Sequence, residues 1–266
     1  QKMAQAEAER AQQTANDQAQ AKAAVQAIWS KAKEATTANA YATRKGIHPL
    51  GCKVFGDSDT LIVPIYDGKP SINTLCNAQF IQTDGTKRFK TGGKKKGCYT
   101  AIGNPESRVA VLCEGFATGA SIAMATGYYV LVAFDAGNLL PVAERIKAAL
   151  PADWRLIIAG DNDAYGDVNT GADKALACAH AVGAECVLPD FTGCDITHAP
   201  TDFNDLHRLA GLEAVKAQID GTGVLSTAQV QAVQEKAVEA ETDDQIIERM
   251  AGLSTLEFAR HGRAAA

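Results

Sequence analysis

The sequence predicts an α/β fold: a parallel-sheet core, a small β-rich subdomain before it, and helical extensions at both ends. Residues 107–222 alternate short apolar runs with helical patterns, which is typical of a parallel sheet covered on both faces. Residues 41–106 hold short β-type runs separated by glycine-containing turns. The two ends of the chain lack strand signals and have helical patterns.

Length and charge limit the class of protein. At roughly 150 residues per domain, 266 residues predict one or two domains. The net charge is −5, with 26 basic and 31 acidic residues, so any nucleic-acid contact must be local. No apolar run approaches the roughly 18 residues of a membrane span, so we expect no membrane contact. The seven cysteines form no CxxC pair, which argues against zinc and favours reduced thiols in the cytoplasm.

The first two segments are predicted from their turns and periodicity. Residues 1–40 are a helical N-terminal extension, rich in Ala and Gln, that gains apolar helical spacing only near Val25. Residues 41–106 form the small β-rich subdomain. Its predicted strands are Leu61–Tyr66, Thr74–Thr83 and Cys98–Ile102, and a hairpin is predicted around Asp84-Gly85.

The later segments follow from the strand–helix alternation. In residues 107–222 the predicted strands are Val109–Cys113, Tyr129–Phe134, Leu156–Ala159 and Glu185–Leu188. The predicted helices are Ala117–Thr126, Leu139–Leu150, Thr170–Val182 and one that begins over Asp202–Leu209. Residues 223–266 are predicted as a helical C-terminal tail.

Acidic residues follow three of the predicted core strands. Glu114, Asp135, Asp161 and Asp163 stand directly or almost directly after a strand. Because the carboxyl ends of parallel strands meet at one edge, these carboxylates should gather there. Carboxylates that lie close together repel one another. A bound Mg²⁺ ion, which takes oxygen ligands, is the simplest way to neutralise this repulsion.

The same acids have a plainer interpretation as helix caps and turn formers. For Asp135 capping explains the residue as well as function does, and for Asp167 and Asp173 it is the better explanation. Glu114 is the exception, because Glu is a poor turn former. Gly115 after it would let the backbone turn sharply into the next helix.

Several strings in order resemble the topoisomerase–primase (Toprim) family. They are CEGFATGAS, AFDAGNL, GDND and TDFNDLH. The narrower resemblance is to the Toprim primases of plasmids, phages and integrated elements. The strings YATRKGIHP and QFIQTDGTKRFKTGGKKKGCYTAIG resemble the N-terminal part of that primase core, so the resemblance covers about residues 41–220.

The resemblance implies a DNA primase that makes short RNA primers from ribonucleotides on a single-stranded DNA template. Glu114 would be a general acid/base or metal ligand, and Asp161 with Asp163 the pair that binds Mg²⁺ or Mn²⁺. A helicase domain or subunit is a further expected partner. Four residues are expected to bind the nucleotide: Asn169, Lys174, Asp202 and Asp205. Lys174 is explained as well by an ordinary helix surface, and Asp202 by an N-cap.

A basic strip adds the expected DNA contact. Residues 87–97 contain six basic residues and no acid: Lys87, Arg88, Lys90, Lys94, Lys95 and Lys96. Lysines neutralise phosphates, and the flanking Phe89 and Tyr99 would stack on bases. The alternative is a solvated charged loop. Because the chain as a whole is negatively charged, a local cluster of basic residues favours phosphate contact more strongly than it would in a basic protein.

Three other functions use parts of the same pattern. A Toprim nuclease would use the same carboxylates for hydrolysis, but the basic subdomain favours a primase. A topoisomerase fragment needs a nucleophilic tyrosine, and no residue marks one. A non-catalytic module would bind DNA or load a helicase, but it would not need Glu114, Asp161 and Asp163 together.

Overall fold

Two β-sheets organise the chain. The computed structural model describes residues 2–56, 58–163, 170–222, 224–226 and 228–232. Five strands form an antiparallel N-terminal sheet in chain order: β1 (Lys33–Glu34), β2 (Lys53–Val54), β3 (Leu61–Tyr66), β4 (Leu75–Ile81) and β5 (Lys87–Phe89). The predicted hairpin around Asp84-Gly85 is confirmed as the β4–β5 pair.

The helix α1 (Lys2–Lys31) packs on the N-terminal sheet with its last third only. Most of its surface up to residue 20 is exposed, whereas Ala21 and Val25 are buried. Val25 packs in a small core with Ile62 and Leu75. The helix α2 (Ala40–Lys45) follows, capped by the Asn39 side chain. The first part of the extension is therefore a solvated helix, as the missing apolar residues predicted.

The second sheet has six strands in the order β11-β10-β9-β7-β8-β6. They are β6 (Thr100–Ile102), β7 (Val109–Cys113), β8 (Tyr129–Val132), β9 (Arg155–Ala159), β10 (Glu185–Val187) and β11 (Val224–Leu225). The four central strands are parallel, and the edge strands β6 and β11 are antiparallel to their neighbours. The predicted parallel sheet is confirmed.

Alternate residues of the parallel strands enter two different cores. Val111 and Ile157 face α3 (Phe116–Thr126) and α6 (Phe203–Ala217), in a core shared with the N-terminal sheet. Leu112 and Ile158 face α4 (Leu139–Ala149) and α5 (Thr170–Val182). This alternation explains why the strands are apolar throughout. Within the described residues, no helix is long and apolar enough to cross a membrane.

Two elements differ from the sequence-based prediction. The strand assigned to the small β-rich subdomain at residues 98–102 becomes β6 and pairs with β8 of the second sheet. Strand periodicity does not encode the pairing partner, and an open edge of β8 would otherwise expose its backbone groups. In the predicted helical tail, residues 224–225 form β11 and residues 228–232 are helical; the remainder lies outside the described residues.

Candidate active site

Three parallel strands deliver acidic side chains to one edge of the second sheet. Cys113 at the end of β7 pairs in register with Val132 of β8 and Ala159 of β9. The residues that follow these strand ends include Glu114, Asp135 and Asp161. The predicted gathering of acids at this edge is therefore observed.

A cavity of about 120 Å³ lies at this edge, between the two sheets. Glu114, Asp161 and Asp202 contribute its acidic lining. Gln79 of β4 and Lys87 of β5 reach it from the N-terminal sheet. The remaining lining residues are Gly115, Phe116, Thr118 and Phe134. The site is thus assembled from both sheets.

The acids raise one another's proton affinity. Burial, followed by the charges of Asp202, Glu114 and Asp163, raises the pKa of Asp161 to about 8. Burial and the charges of Asp135 and Asp163 also raise the pKa of Glu114. Carboxyl groups crowded in this way favour either protonation or a cation among them.

The residues fit a hard divalent cation with oxygen ligands, such as the Mg²⁺ or Mn²⁺ that the sequence led us to expect. The oxygen Oδ1 of Asp161 is buried and has no hydrogen-bond donor among the described residues. Mg²⁺ commonly takes only one or two carboxylates and fills its shell with water and phosphate. In the described part of the chain, no three His, Cys, Asp or Glu side chains are grouped so that they could hold a metal ion by themselves.

Asp163 lies against the start of α5 and is not among the residues that line the cavity. A Cβ on Gly171 would lie 2.9 Å from the Asp161 carbonyl oxygen and 3.1 Å from Oδ2 of Asp163. Glycine at this position therefore lets α5 approach the aspartate pair. The charge of Asp163 still reaches both Glu114 and Asp161.

Asp202 combines the two roles that the sequence left open. Its side chain accepts a hydrogen bond from the Asp205 amide (2.8 Å) and so caps α6. Its other oxygen accepts one from Thr118 (3.1 Å). Burial and the charge of Asp205 raise the pKa of Asp202, which lines the acidic cavity as well. Asp205 accepts a hydrogen bond from the Thr201 amide (3.0 Å) beyond the cavity.

Lys174 is exposed on α5, and its charge lowers the pKa of Glu114, which places its ammonium within electrostatic reach of the acids. Asn169, also predicted to bind the nucleotide, lies outside the described residues.

The residues of the predicted basic strip lie in different surroundings. Lys87 lines the acidic cavity. Its pKa is lowered, chiefly by desolvation and then by the charge of Lys45, although the charges of Asp202, Asp161 and Glu114 oppose the shift. Lys94 and Lys95 are in ion pairs, each at 2.6 Å, with Asp67 and Asp135. Two further residues, Arg88 and Lys96, are exposed, and Lys90 lines a cleft beside α1.

The two expected stacking aromatics have different surroundings. Tyr99 is 5% exposed and belongs to the core on α4, so its predicted base stacking is wrong. Its backbone pairs with Tyr66, which turns this segment inward. Phe89 is partly exposed and packs edge-on against Phe134, with the Lys95 ammonium 4.8 Å from its ring centroid.

Two local expectations need correction. Gly115 has an ordinary extended backbone (φ −94°, ψ 147°), so glycine is not required there for a sharp turn. What glycine provides is space, because a Cβ would lie 3.1 Å from Oγ1 of Thr118. Asp135 precedes a short 3₁₀ turn but makes no capping hydrogen bond with its side chain; its carboxylate pairs with Lys95 instead.

Sequence reasoning missed Gln79, Thr118 and Phe134 as lining residues. The first two are ordinary polar residues within apolar elements, and only their burial distinguishes them. Phe134 carries a backbone signal, a positive φ of 73°, that no sequence pattern reveals. Strain of this kind is common at functional sites.

Comparison with known proteins supports the same family. Residues 109–213 match the Toprim domain. Two curated proteins of Escherichia coli, both named DNA primase TraC, are 37% identical to this chain over 173 and 176 residues, or 61% and 59% of the chain. The chain spans only 12% and 16% of their lengths. The expected resemblance to Toprim primases is confirmed.

Two solved structures are also similar, each at 14% identity and a TM-score of 0.47. The primase fragment of the bacteriophage T7 primase-helicase aligns over 66% of this chain and 72% of its own. The RNA polymerase domain of Mycobacterium tuberculosis primase DnaG aligns over 87% and 81%.

Proposed function

We propose that this chain, whose residues 109–213 form a Toprim domain, is the core of a DNA primase that makes short RNA primers on single-stranded DNA. The observation that carries the proposal is the cavity where Glu114, Asp161 and Asp202 meet Lys87 from the other sheet. Acids for a metal and a cation for phosphate, side by side, suit nucleotidyl transfer. The similarity to two DNA primases supports the same reaction.

Asp161 and Asp163 would hold the metal ion, with Glu114 beside them. A bound Mg²⁺ or Mn²⁺ would neutralise charge on the reacting phosphate and make the attacking hydroxyl more acidic. The buried, unpartnered Oδ1 of Asp161 supports this assignment.

Glu114 would accept the proton of the primer 3′-hydroxyl as that oxygen bonds to the α-phosphorus of the incoming ribonucleoside triphosphate and pyrophosphate leaves. The pKa of Glu114 is raised and so lies closer to neutral pH than that of an ordinary glutamate. A general base is most effective when its pKa is near the pH at which the enzyme works. Lys87 would donate hydrogen bonds to a phosphate of the incoming ribonucleotide, because its ammonium stands at the cavity of the acids. Lys174, exposed near Glu114, would add a second cation on the α5 side.

The single-stranded template would follow the rest of the basic strip. Arg88 and Lys96 are exposed and available for phosphates. Lys94 and Lys95 are half-exposed, so their ion pairs leave room for a phosphate oxygen. Phe89, partly exposed beside Lys95, is the aromatic that could stack on a base.

One incubation distinguishes this proposal from its rivals. The chain is mixed with single-stranded DNA, labelled ribonucleotides and either Mg²⁺ or Mn²⁺. Short labelled oligomers that require both template and metal support a primase. Shortened DNA would indicate a nuclease instead, and DNA binding without either product would indicate a non-catalytic module.

A further inference from the structure

One buried side chain fixes the loop that carries the last lysines of the basic strip. We call residues 90–97 the basic loop. The two hydrogens on the Asn138 side-chain nitrogen are shared among three carbonyl oxygens, those of Lys95 (3.2 Å), Cys98 (3.0 Å) and Ala133 (2.8 Å). The side-chain oxygen of Asn138 accepts from the Gly97 amide (2.7 Å). Asn138 thus joins the end of the basic loop to the residue that follows β8.

The turn after β8, residues 133–138, also holds a lysine side chain of the basic loop. The Lys95 ammonium lies 2.6 Å from a carboxylate oxygen of Asp135 and 4.8 Å from the Phe89 ring centroid. Lys95 is therefore held at its backbone by Asn138 and at its ammonium by Asp135. Arg145 of α4 adds a hydrogen bond to the Gly97 carbonyl oxygen (3.1 Å).

Two backbone features of residues 133–138 accompany the contact between Asp135 and Lys95. Phe134 has φ 73°, a left-handed conformation that is unfavourable for an aromatic residue. Its amide nevertheless donates to the Glu114 carbonyl oxygen (2.8 Å), so the strained residue is anchored to the catalytic edge. At Gly137 a Cβ would lie 3.2 Å from Oδ1 of Asp135, and its absence leaves space for that carboxylate.

We propose that Asp135 and Asn138 are positioning residues: they fix the basic loop, and Lys95 above all, relative to the catalytic acid Glu114. The proposal rests on the proposed primase function, because it assigns these residues to the alignment of template with the catalytic edge. Capping does not explain Asp135, because its side chain makes no capping hydrogen bond. The side-chain hydrogen bonds of Asn138 all go to the backbone of residues 95–98 or of Ala133.

The decisive variant is Asp135→Asn, which keeps the shape of the side chain and removes its charge. The Lys95 ammonium then has no carboxylate at Asp135 to hold it in position. We expect affinity for single-stranded DNA to stay the same or rise up to threefold. The rate of synthesis at saturating template should fall at least tenfold, while the affinity for Mn²⁺ stays within threefold of wild type.

The matched control is Asp67→Asn, which removes the same charge from the ion pairs of Asp67 with Lys94 (2.6 Å) and with Arg145 (2.7 Å) and leaves the Lys95–Asp135 pair and the Asn138 contacts in place. We expect its rate of synthesis to stay within threefold of wild type. An equal loss in both variants, or no loss in Asp135→Asn, would overturn the proposal. A tenfold or larger loss of Mn²⁺ affinity in Asp135→Asn would also overturn it, since Asp135 would then act as a metal ligand.

A second measurement does not depend on activity. In Asn138→Ser, amide hydrogen exchange at residues 95–98 should rise at least tenfold, while exchange in β7 and β9 remains unchanged. Unchanged exchange at residues 95–98 would contradict the role of Asn138. If the wild-type chain made no primers, the proposed function would fail, whereas this exchange experiment would still test the anchoring of the loop.

Discussion

Oγ1 of Thr118 donates a hydrogen bond to Oδ2 of Asp202 at 3.1 Å, which links the first turn of α3 to the N-cap of α6. These two helices pack against the same face of the parallel sheet. The hydrogen bond therefore ties α3 to the residue that caps α6, and that residue is also one of the acids of the cavity.

Thr118→Val tests this link, because valine keeps the shape of threonine without the hydroxyl. The loss of a hydrogen bond to a partly buried carboxylate should lower the free energy of unfolding by about 1–2 kcal/mol. Denaturant titration measures the change. Thr118→Ser retains the hydroxyl and should stay closer to wild type, so equal destabilisation by both variants would point to packing instead.

Under the proposed function, Glu114→Gln and Asp161→Asn should each reduce primer synthesis by about 100-fold or more, because each would remove a charge needed at the reacting centre. Both residues follow strand ends, so the variants should remain folded, with unchanged circular dichroism. Asp173→Asn is the control, since Asp173 is exposed in the first turn of α5. Wild-type synthesis by either active-site variant would falsify the assignment.

The stability of the metal-free chain should fall as the pH rises. The pKa of Asp161 is raised from 3.8 to about 8 by burial and by the charges of Asp202, Glu114 and Asp163. A carboxyl with a raised pKa binds its proton more tightly in the folded state, so it destabilises the fold progressively from about pH 4 to about pH 8.

Thermal unfolding with a chelator across this pH range measures the effect. Asp161→Asn has no proton to lose at this position, so its melting temperature should depend less on pH and exceed that of wild type near pH 8. Added Mg²⁺ should recover part of the wild-type loss, because a ligand of the folded state stabilises it. Parallel curves for wild type and variant would contradict the pKa assignment.

Lys87 and Arg88 are neighbours in β5, but only Lys87 lines the acidic cavity. Adjacent strand residues point to opposite faces, so their substitutions should have different effects. Under the proposed function, Lys87→Met should lower kcat, because the nucleotide phosphate would lose a cation at the cavity. Arg88→Met should mainly raise the KM for template and reduce the salt dependence of DNA binding. Identical changes in kcat and KM for both variants would argue against this division of the basic strip.

Local patterns predicted the parallel sheet and the positions of its acids. Glu114 and Asp161 were found because parallel strands must bring their carboxyl ends to one edge, whatever the details of packing. The helix limits of α5 followed from the spacing of its apolar residues.

The remaining features of the site depend on contacts between residues that are far apart in the sequence, which local patterns do not predict. Lys87 belongs to the cavity only because the N-terminal sheet packs against the second sheet, and nothing near Lys87 in sequence reports this. Asp135 was open to interpretation as a cap because its partner, Lys95, is 40 residues earlier in the chain. Tyr99 follows a lysine-rich segment, yet its pairing with Tyr66 carries it into the core.

The most direct test of the central claim is anomalous diffraction from crystals of this chain soaked in Mn²⁺ and a ribonucleotide. We expect a manganese peak beside the carboxylates of Asp161 and Asp163, next to Glu114, and its loss in crystals of Asp161→Asn. A manganese ion bound away from these three carboxylates, or no peak at saturating Mn²⁺, would contradict the metal-dependent reaction proposed for this edge of the sheet.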